Sequence, residues 1–203
     1  MQVTRFESRE EWLAARRCKI TGTRLKDIIV KRGTGKKLGF YELIAERLAE
    51  PADGENPMER GSRLETQAID KFEAMHGKKV DRSLILWSRD ENPDIAVSPD
   101  GVIGDDATAA LEVKCLSSAH HIEALLTGDI PKDYEFQALQ YFIVNDKLEV
   151  LYFCFFDPRM RVKDFFVKTI TRTEMLAQIE EILIYQRETL REVDAIVEKL
   201  LSE

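Results

Sequence analysis

The apolar residues of this chain change their spacing after His76-Gly77, and that change constrains the fold more than any other feature of the sequence. Before it, apolar residues recur at the spacing of amphipathic helices. After it come short runs rich in β-branched and aromatic residues, as in strands. These runs are KKVDRSLILWS, DIAVSPDGVIG, ALEVKCL, LEVLYFCFF and KDFFVKTI, with helical segments at about 119–126 and 133–144 between the third and the fourth. Strands interleaved with helices predict an α/β protein whose mixed sheet is covered by helices on both faces.

Two capping boxes mark the starts of further helices. Ser8 with Glu11 predicts a short helix over 9–17, and Thr171 with Glu174 opens a long one. Other helices are expected at 25–29, 38–48 and 58–75, with a flexible basic loop at 32–37. A length of 203 residues suits one domain over 1–203. Its expected parts are a helical region at about 1–75, a sheet core at about 76–170 and a C-terminal helix at about 172–201.

Charge is distributed unevenly along the chain. The net charge of −7 argues on its own against a nucleic-acid partner, since phosphates attract positive surface. The segment 16–37 nevertheless holds nine basic residues against Asp27, which gives +8 there and −15 elsewhere. Two interpretations stay open, namely a solvated basic face and a patch that binds phosphates on an otherwise acidic molecule.

Membrane and zinc-site patterns are absent from the sequence. No run approaches the roughly 18 apolar residues of a membrane span, and the N-terminus carries charges where a signal peptide has its apolar region. The three histidines and three cysteines lack the spacing of zinc ligands. We therefore expect a soluble, intracellular protein with no membrane partner.

The clearest chemical pattern is S-P-D-G at 98–101 followed by L-E-V-K at 111–114. In a strand, alternate side chains share a face, so Glu112 and Lys114 project together while the valine between them enters the core. Asp100 can reach the same edge from the preceding turn. Neighbouring carboxylates repel one another unless a divalent cation lies between them, and oxygen ligands suit Mg²⁺ or Mn²⁺. Alone, the pattern also fits an ordinary turn and a solvated lysine.

Five ordered blocks resemble the lambda-type phage exonucleases, also called the YqaJ-type viral recombinase group, within the PD-(D/E)xK nuclease superfamily. The blocks are W-x-x-x-R and I-T-x-[ST] within 12–23, R-G-x-x-L-E at 60–65, S-P-D-G at 98–101, L-E-V-K-C at 111–115 and Y-x-x-Q at 134–137. The resemblance implies a restriction-endonuclease-like core, a central mixed β-sheet flanked by helices. It also implies that the N-terminal helical part binds a DNA end.

The resemblance further implies two Mg²⁺ ions, with Mn²⁺ able to substitute. One ion would be held by Asp100, Glu112 and the Val113 carbonyl, and the other by Glu65 and Asp100. Without the resemblance, Glu65 could equally be a surface acid of its helix. The residues implied to orient or activate the attacking water are Lys114 and Gln137.

A small pocket for the 5′-phosphate of the substrate is implied at Arg16, Thr23 and Ser98. The family's further basic pocket residue lies eight positions after the motif glutamate, where this chain has His120. An imidazole is mostly neutral at pH 7, so this position departs from the family pattern.

The implied activity is a 5′→3′ exonuclease on linear double-stranded DNA, which leaves 3′ overhangs for a single-strand annealing protein in phage-type recombination. The resemblance also implies a trimeric ring around the DNA and a phage- or prophage-encoded protein in the bacterial host cytoplasm. A Cas4- or RecB-type nuclease is one alternative, although the four-cysteine cluster of its iron–sulfur versions is missing. A non-catalytic DNA-end-binding module is another, and the complete acid and lysine set argues against it.

Overall fold

The computed structural model describes residues 1–29, 37, 40, 43, 59–115, 118–158, 160 and 163–202. Most of the predicted basic loop at 32–37 and of the predicted helix at 38–48 lies outside these residues. The described helices are α1 (Arg9–Arg16), α2 (Gly22–Ile28), α3 (Glu59–His76), α4 (Ser118–Thr127), α5 (Glu135–Val144) and α6 (Arg172–Ser202). The described strands are β1 (Gln2–Phe6), β2 (Val80–Asp81), β3 (Leu84–Ser88), β4 (Ala96–Val97), β5 (Gly101–Ile103), β6 (Ala109–Lys114), β7 (Val150–Phe156) and β8 (Phe165–Thr171).

Each predicted capping box forms in part, with one of its two backbone hydrogen bonds. The Glu11 N–H donates to Oγ of Ser8 at 3.2 Å, at the start of α1. At the start of α6, the Thr171 N–H donates to Oε2 of Glu174 at 2.6 Å. Each bond satisfies a backbone donor that the first helical turn leaves without a partner.

The described strands form two sheets. One has the order β1-β3-β4, and the other the order β2-β5-β6-β7-β8. In the larger sheet β6 and β7 run parallel and the other pairs are antiparallel, so the sheet is mixed as predicted. The parallel connection from β6 to β7 passes through α4 and α5, as a crossover requires.

Two expectations about the strands need correction. The KKVDRSLILWS run divides into β2 and β3, and the DIAVSPDGVIG run into β4 and β5, with the two members of each pair in different sheets. Turns at 82–83 and 98–100 make that division possible. The sequence patterns also did not predict β1, because most of its side chains are exposed and its backbone pairing with β3 alone defines it as a strand.

Helices cover both faces of the larger sheet. On one face α3 packs its Ala68, Ile69 and Phe72 side chains against Leu111 and Cys154 of the sheet. The opposite face lies under α4 and α5, and α6 packs on α5. Residues 110, 112 and 114 of β6 point toward α5, because alternate side chains of a strand share one face. The Glu112 side chain therefore lies on the α5 side of the sheet. None of the described helices combines the length and the apolarity that a membrane span requires.

Candidate active site

Glu112 is the centre of the candidate site. This residue is 2% exposed and lies on the central strand β6, beneath α5. Oε1 accepts hydrogen bonds from Nζ of Lys114 and Nε2 of Gln137, and Oε2 accepts one from the hydroxyl of Tyr141. The predicted shared face of Glu112 and Lys114 is confirmed by this contact. Three donors therefore fix the orientation of one buried carboxylate.

Helix α5 supplies two of these donors because Gln137 and Tyr141 lie four residues apart, on one face of the helix. Burial and then the neighbouring Glu112 raise the pKa of Tyr141 well above its usual range, so the phenol stays protonated and donates. Sequence reasoning identified Gln137 but missed Tyr141. The available signal was a hydroxyl group one helical turn after Gln137, in the segment 138–144 whose one other polar side chain is Gln140.

Two more carboxylates lie within electrostatic reach of Glu112. Burial, followed by Glu112 and Glu65, raises the pKa of Asp100 well above its usual range. Burial and Glu112 likewise raise the pKa of Glu65, on α3. Close by, burial and then Glu65 and Asp100 raise the pKa of Cys115 to about 11. The structure thus brings Glu65, Asp100 and Glu112 into one region of concentrated negative charge.

Asp100 is held by the turn that precedes β5. Its Oδ2 accepts a 2.7 Å hydrogen bond from the Val113 N–H, which ties the turn to the strand carrying Glu112. The next residue must be glycine, because a Cβ at Gly101 would lie 2.3 Å from Cγ1 of Val80. The S-P-D-G motif therefore places an acid on the edge of β6 and lets β2 pass close by.

Lys114 supplies positive charge inside this region. Burial alone would lower the pKa of Lys114, but Glu112 and Asp100 beside it raise that pKa above its ordinary value, so the ammonium stays charged. Its Nζ also lies 5.3 Å from the centroid of the Tyr134 ring, a favourable distance for a cation–π contact.

Arg16 approaches the same acids from the end of α1. Burial lowers the pKa of its guanidinium, while Glu112 and Asp100 act in the opposite direction. The guanidinium carbon lies 4.3 Å from the centroid of the Trp12 ring, and the Trp12 indole N–H donates to the Ile85 carbonyl at 3.2 Å. The W-x-x-x-R spacing thus stacks Arg16 on an indole that is itself anchored to β3.

Of the other three residues predicted for a phosphate pocket, Ser98 and Thr23 differ in burial and in hydrogen bonding. Ser98 is buried, and its Oγ has no hydrogen-bond partner within the described residues. Thr23 is exposed in the first turn of α2, with its Oγ1 3.4 Å from that of Thr21. His120 lies on α4, but its side chain is outside the described residues. Its neighbour His121 is fully buried, and Nε2 of that ring contacts the Lys163 carbonyl at 2.8 Å.

The oxygen atoms of Glu65, Asp100, Glu112 and the Val113 carbonyl are chemically suited to bind a hard divalent cation. Carboxylate and backbone carbonyl oxygens are the ligands that Mg²⁺ and Mn²⁺ prefer. The raised pKa values of Asp100 and Glu65 beside Glu112 indicate that this cluster of acids favours additional positive charge. Among the described residues no three His, Cys, Asp or Glu side chains converge on one point at metal-binding distance. In this conformation the Glu112 oxygens are engaged by Lys114, Gln137 and Tyr141 instead.

Known structures share this fold. An alkaline exonuclease from Laribacter hongkongensis is 28% identical, with a TM-score of 0.80 over 95% of this chain and 96% of that chain. The same enzyme in complex with dAMP is 28% identical, with a TM-score of 0.77 over 95% and 98%. A phage related exonuclease from Haemophilus somnus 129PT is 16% identical, with a TM-score of 0.59 over 87% and 95%, a likeness of fold alone. The predicted restriction-endonuclease-like architecture is confirmed by these likenesses.

No curated protein sequence matches the chain. The sequence pattern of the YqaJ-like viral recombinase domain, in contrast, matches residues 11–147, which is more than half of the 203 residues. That region contains every residue of the candidate site, from Trp12 on α1 to Tyr141 on α5. The chain therefore belongs to the YqaJ-like viral recombinase domain family.

Proposed function

We propose that this chain is a Mg²⁺-dependent 5′→3′ exonuclease that hydrolyses linear double-stranded DNA and leaves 3′ single-stranded overhangs. The observation that carries the proposal is the arrangement around Glu112, a buried carboxylate held by Lys114, Gln137 and Tyr141 beside two further acids. The likeness to an alkaline exonuclease along nearly the whole chain supports the same activity.

Two Mg²⁺ ions, with Mn²⁺ able to substitute, would be held by Glu65, Asp100, Glu112 and the Val113 carbonyl. When bound, such ions supply positive charge that activates the attacking water and offsets the negative charge that develops on the scissile phosphate. Asp100 is proposed to bind both ions. Its pKa is raised by both Glu112 and Glu65, which supports a position close to each of them.

The chain's own residues supply orientation and charge. Gln137 and Tyr141 hold the Glu112 carboxylate in one orientation. Lys114 keeps its proton and adds positive charge beside the phosphate and the attacking water. Such groups stabilise a transition state without reorganising at the moment of reaction.

Recognition of the DNA end is proposed for Arg16, Thr23, Ser98 and His120. The buried Ser98 hydroxyl has no partner in the described part of the chain, and a phosphate oxygen would satisfy it. The Arg16 guanidinium is held near the acids by Trp12 and can grip a phosphate with two donors. The related Laribacter enzyme forms a complex with dAMP, a nucleotide with a 5′-phosphate, and this supports such a pocket.

We also propose that the 203 residues act as one unit in the bacterial cytoplasm, as a homotrimeric ring around DNA that passes its overhangs to a single-strand annealing protein. Helix α6 supports a role in assembly, because residues 172–203 carry four basic and eight acidic side chains and several exposed apolar ones. The exposed apolar residues on α6 are Leu176, Ile184, Leu200 and Leu201. Light scattering tests the ring, and a mass near 23.4 kDa at micromolar concentration contradicts it.

A labelled duplex tests the proposed activity and its polarity. A linear duplex labelled at either the 5′ or the 3′ terminus is incubated with the protein and Mg²⁺, and a covalently closed circle serves as the control. We expect rapid release of the 5′ label as a mononucleotide, late release of the 3′ label and an intact circle. Early release of the 3′ label contradicts the polarity. Binding of linear ends without cleavage identifies the protein as an end-binding module instead.

A further inference from the structure

A buried amide pair lies directly behind the candidate site. Gln140, on α5, and Gln186, on α6, have no exposed surface and exchange two hydrogen bonds of 2.9 Å. The Gln140 amide nitrogen also donates to the Ile20 carbonyl at 2.9 Å and to the Ala96 carbonyl at 3.2 Å. One buried side chain therefore contacts three segments besides its own helix.

These contacts fix which way each amide points. The Ile20 and Ala96 carbonyls can only accept hydrogen bonds, so the nitrogen of Gln140 must face them. Its oxygen is then left to accept from Gln186, which sets the orientation of that amide too. A fully satisfied buried network of this kind favours a single arrangement of the segments it joins.

Both carbonyls belong to segments that lead into the proposed phosphate pocket. Ile20 pairs with Ile95 as a parallel bridge beside β4, and the segment with Thr23 follows it directly. Ala96 lies on β4, two residues before Ser98. Gln140 itself follows Gln137 by three residues on α5. It therefore connects the proposed end-binding segments to the helix that orients Glu112.

The segment that follows Ile20 packs closely on α5 at Gly22. A Cβ at Gly22 would lie 3.1 Å from Cγ of Gln137 and 3.5 Å from Cβ of Gln140. The turn at Gly22 therefore has little room to move toward α5, and the contacts of Gln140 set how this segment lies on that helix. Close packing of this kind leaves few alternative positions for the segment.

We propose that Gln140 is a positioning residue for end recognition, which holds the segments bearing Thr23 and Ser98 at a fixed separation from the carboxylates around Glu112. The inference rests on the proposed function. A 5′-phosphate gripped in the pocket aligns the scissile bond with the acids only if that separation is constant. A misplacement of about 1 Å can cost on the order of 100-fold in rate.

Two methionine variants separate this role from simple stabilisation. The double variant Gln140→Met/Gln186→Met replaces both amides with apolar groups of similar shape, so that neither is left buried without a partner. The single variant Gln186→Met breaks the same amide pair but keeps the bonds from Gln140 to Ile20 and Ala96. Circular dichroism and thermal unfolding check that each variant folds.

The experiment measures kcat and KM on 5′-phosphorylated and 5′-hydroxyl duplexes with Mg²⁺. For the double variant we expect kcat on the phosphorylated end to fall by about tenfold, with the rate on the hydroxyl end unchanged, because the phosphate then no longer aligns the scissile bond. The single variant Gln186→Met should keep the wild-type ratio of the two rates. Tyr185→Phe, which removes a 2.9 Å bond from α6 to the Ile28 carbonyl, should keep it as well.

The outcomes distinguish the inference from the proposed function. If the wild type prefers phosphorylated ends and the double variant keeps that preference, Gln140 is not a positioning residue. A parallel fall of both rates in a folded double variant also overturns the inference, since it indicates a structural role alone. If the wild type degrades both ends at one rate, the proposed phosphate pocket fails, and the inference fails with it.

Discussion

The hydroxyl of Tyr141 donates a hydrogen bond to Oε2 of Glu112 across the boundary between α5 and the central sheet. The phenol is fully buried, and its ring meets that of Trp87 edge to face at a centroid distance of 6.3 Å. The hydroxyl also lies 3.3 Å from the Ser98 carbonyl. Tyr141 thus joins the central carboxylate to the segment that leads into Asp100.

Removing this hydroxyl should impair catalysis more than folding. We expect Tyr141→Phe to lower kcat or the apparent Mg²⁺ affinity by about 10- to 100-fold, as for other residues that orient metal ligands. Lys114 and Gln137 still donate to Oε1 of Glu112, but Oε2 loses its donor, so without Mg²⁺ the free energy of unfolding should fall by about 1–2 kcal/mol. Initial rates across a Mg²⁺ series check this. Tyr152→Phe is the matched control, because Tyr152 packs near Phe72 on the opposite face of the sheet. Equal effects of both changes would contradict the assigned role.

The sequence predicted much of this site because its acids lie in short motifs. The alternation of side chains along a strand predicts that Glu112 and Lys114 share one face of β6. The contact between Tyr141 and Glu112 could not be predicted in the same way, since it depends on how α5 lies across the sheet. A tyrosine among apolar residues of a helix is usually part of the core.

The fold was predictable to a similar extent. The switch from helical to strand-like spacing gave the α/β class, and the capping boxes gave the starts of α1 and α6. Assignment of β2 and β3 to different sheets was not predictable, because strand pairing is decided by long-range contacts and not by local propensity. The β1 strand has exposed side chains and so leaves no alternating apolar pattern.

Loss of the Lys114 ammonium should abolish cleavage while DNA binding persists. In Lys114→Ala the buried Glu112 carboxylate loses a cationic partner, so without Mg²⁺ the free energy of unfolding should fall by about 3 kcal/mol. Addition of Mg²⁺ should recover part of that loss, since a cation again offsets the negative charge of the carboxylates.

Cleavage assays, gel-shift binding and urea unfolding with and without Mg²⁺ measure these effects of Lys114→Ala. Lys168→Ala, at a pair whose partner Asp129 is exposed, is the control. Near-normal turnover by Lys114→Ala removes the residue from the mechanism.

Arg16→Ala should erase the preference for a phosphorylated end. We expect the wild type to degrade a 5′-phosphorylated duplex much faster than a 5′-hydroxyl duplex, and the variant to degrade both slowly and alike. The rates are compared at one fixed salt concentration, because phosphate contacts depend strongly on salt. Arg5→Ala removes an arginine from an exposed ion pair with Asp81 and should leave the preference intact. If Arg16→Ala keeps the wild-type ratio of the rates on the two duplexes, the arginine contributes only to nonspecific electrostatic binding of DNA.

Stability should depend on pH through the cap of α6. The Thr171 hydroxyl and backbone N–H lower the pKa of Glu174 in the folded protein. A lowered folded-state pKa contributes stability above the unfolded-state pKa, and that contribution is lost as the pH falls through the folded-state value. Glu174→Gln should therefore cost about 0.5 kcal/mol at pH 7 and nothing at strongly acidic pH. Thermal unfolding from pH 7 downward measures the difference, with Glu188→Gln on the same helix as control. A cost that does not vary with pH would contradict this origin.

The most direct measurement is nucleotide release from a 5′-phosphorylated linear duplex by the wild type and by Asp100→Asn, each with Mg²⁺ and with EDTA. An asparagine can still accept the hydrogen bond from the Val113 N–H, so the turn should persist while the negative charge is lost. The account predicts rapid release only by the wild type with Mg²⁺, and background release in the other three reactions. Release by the wild type in EDTA, or comparable Mg²⁺-dependent release by Asp100→Asn, would contradict a metal-dependent centre built on these carboxylates.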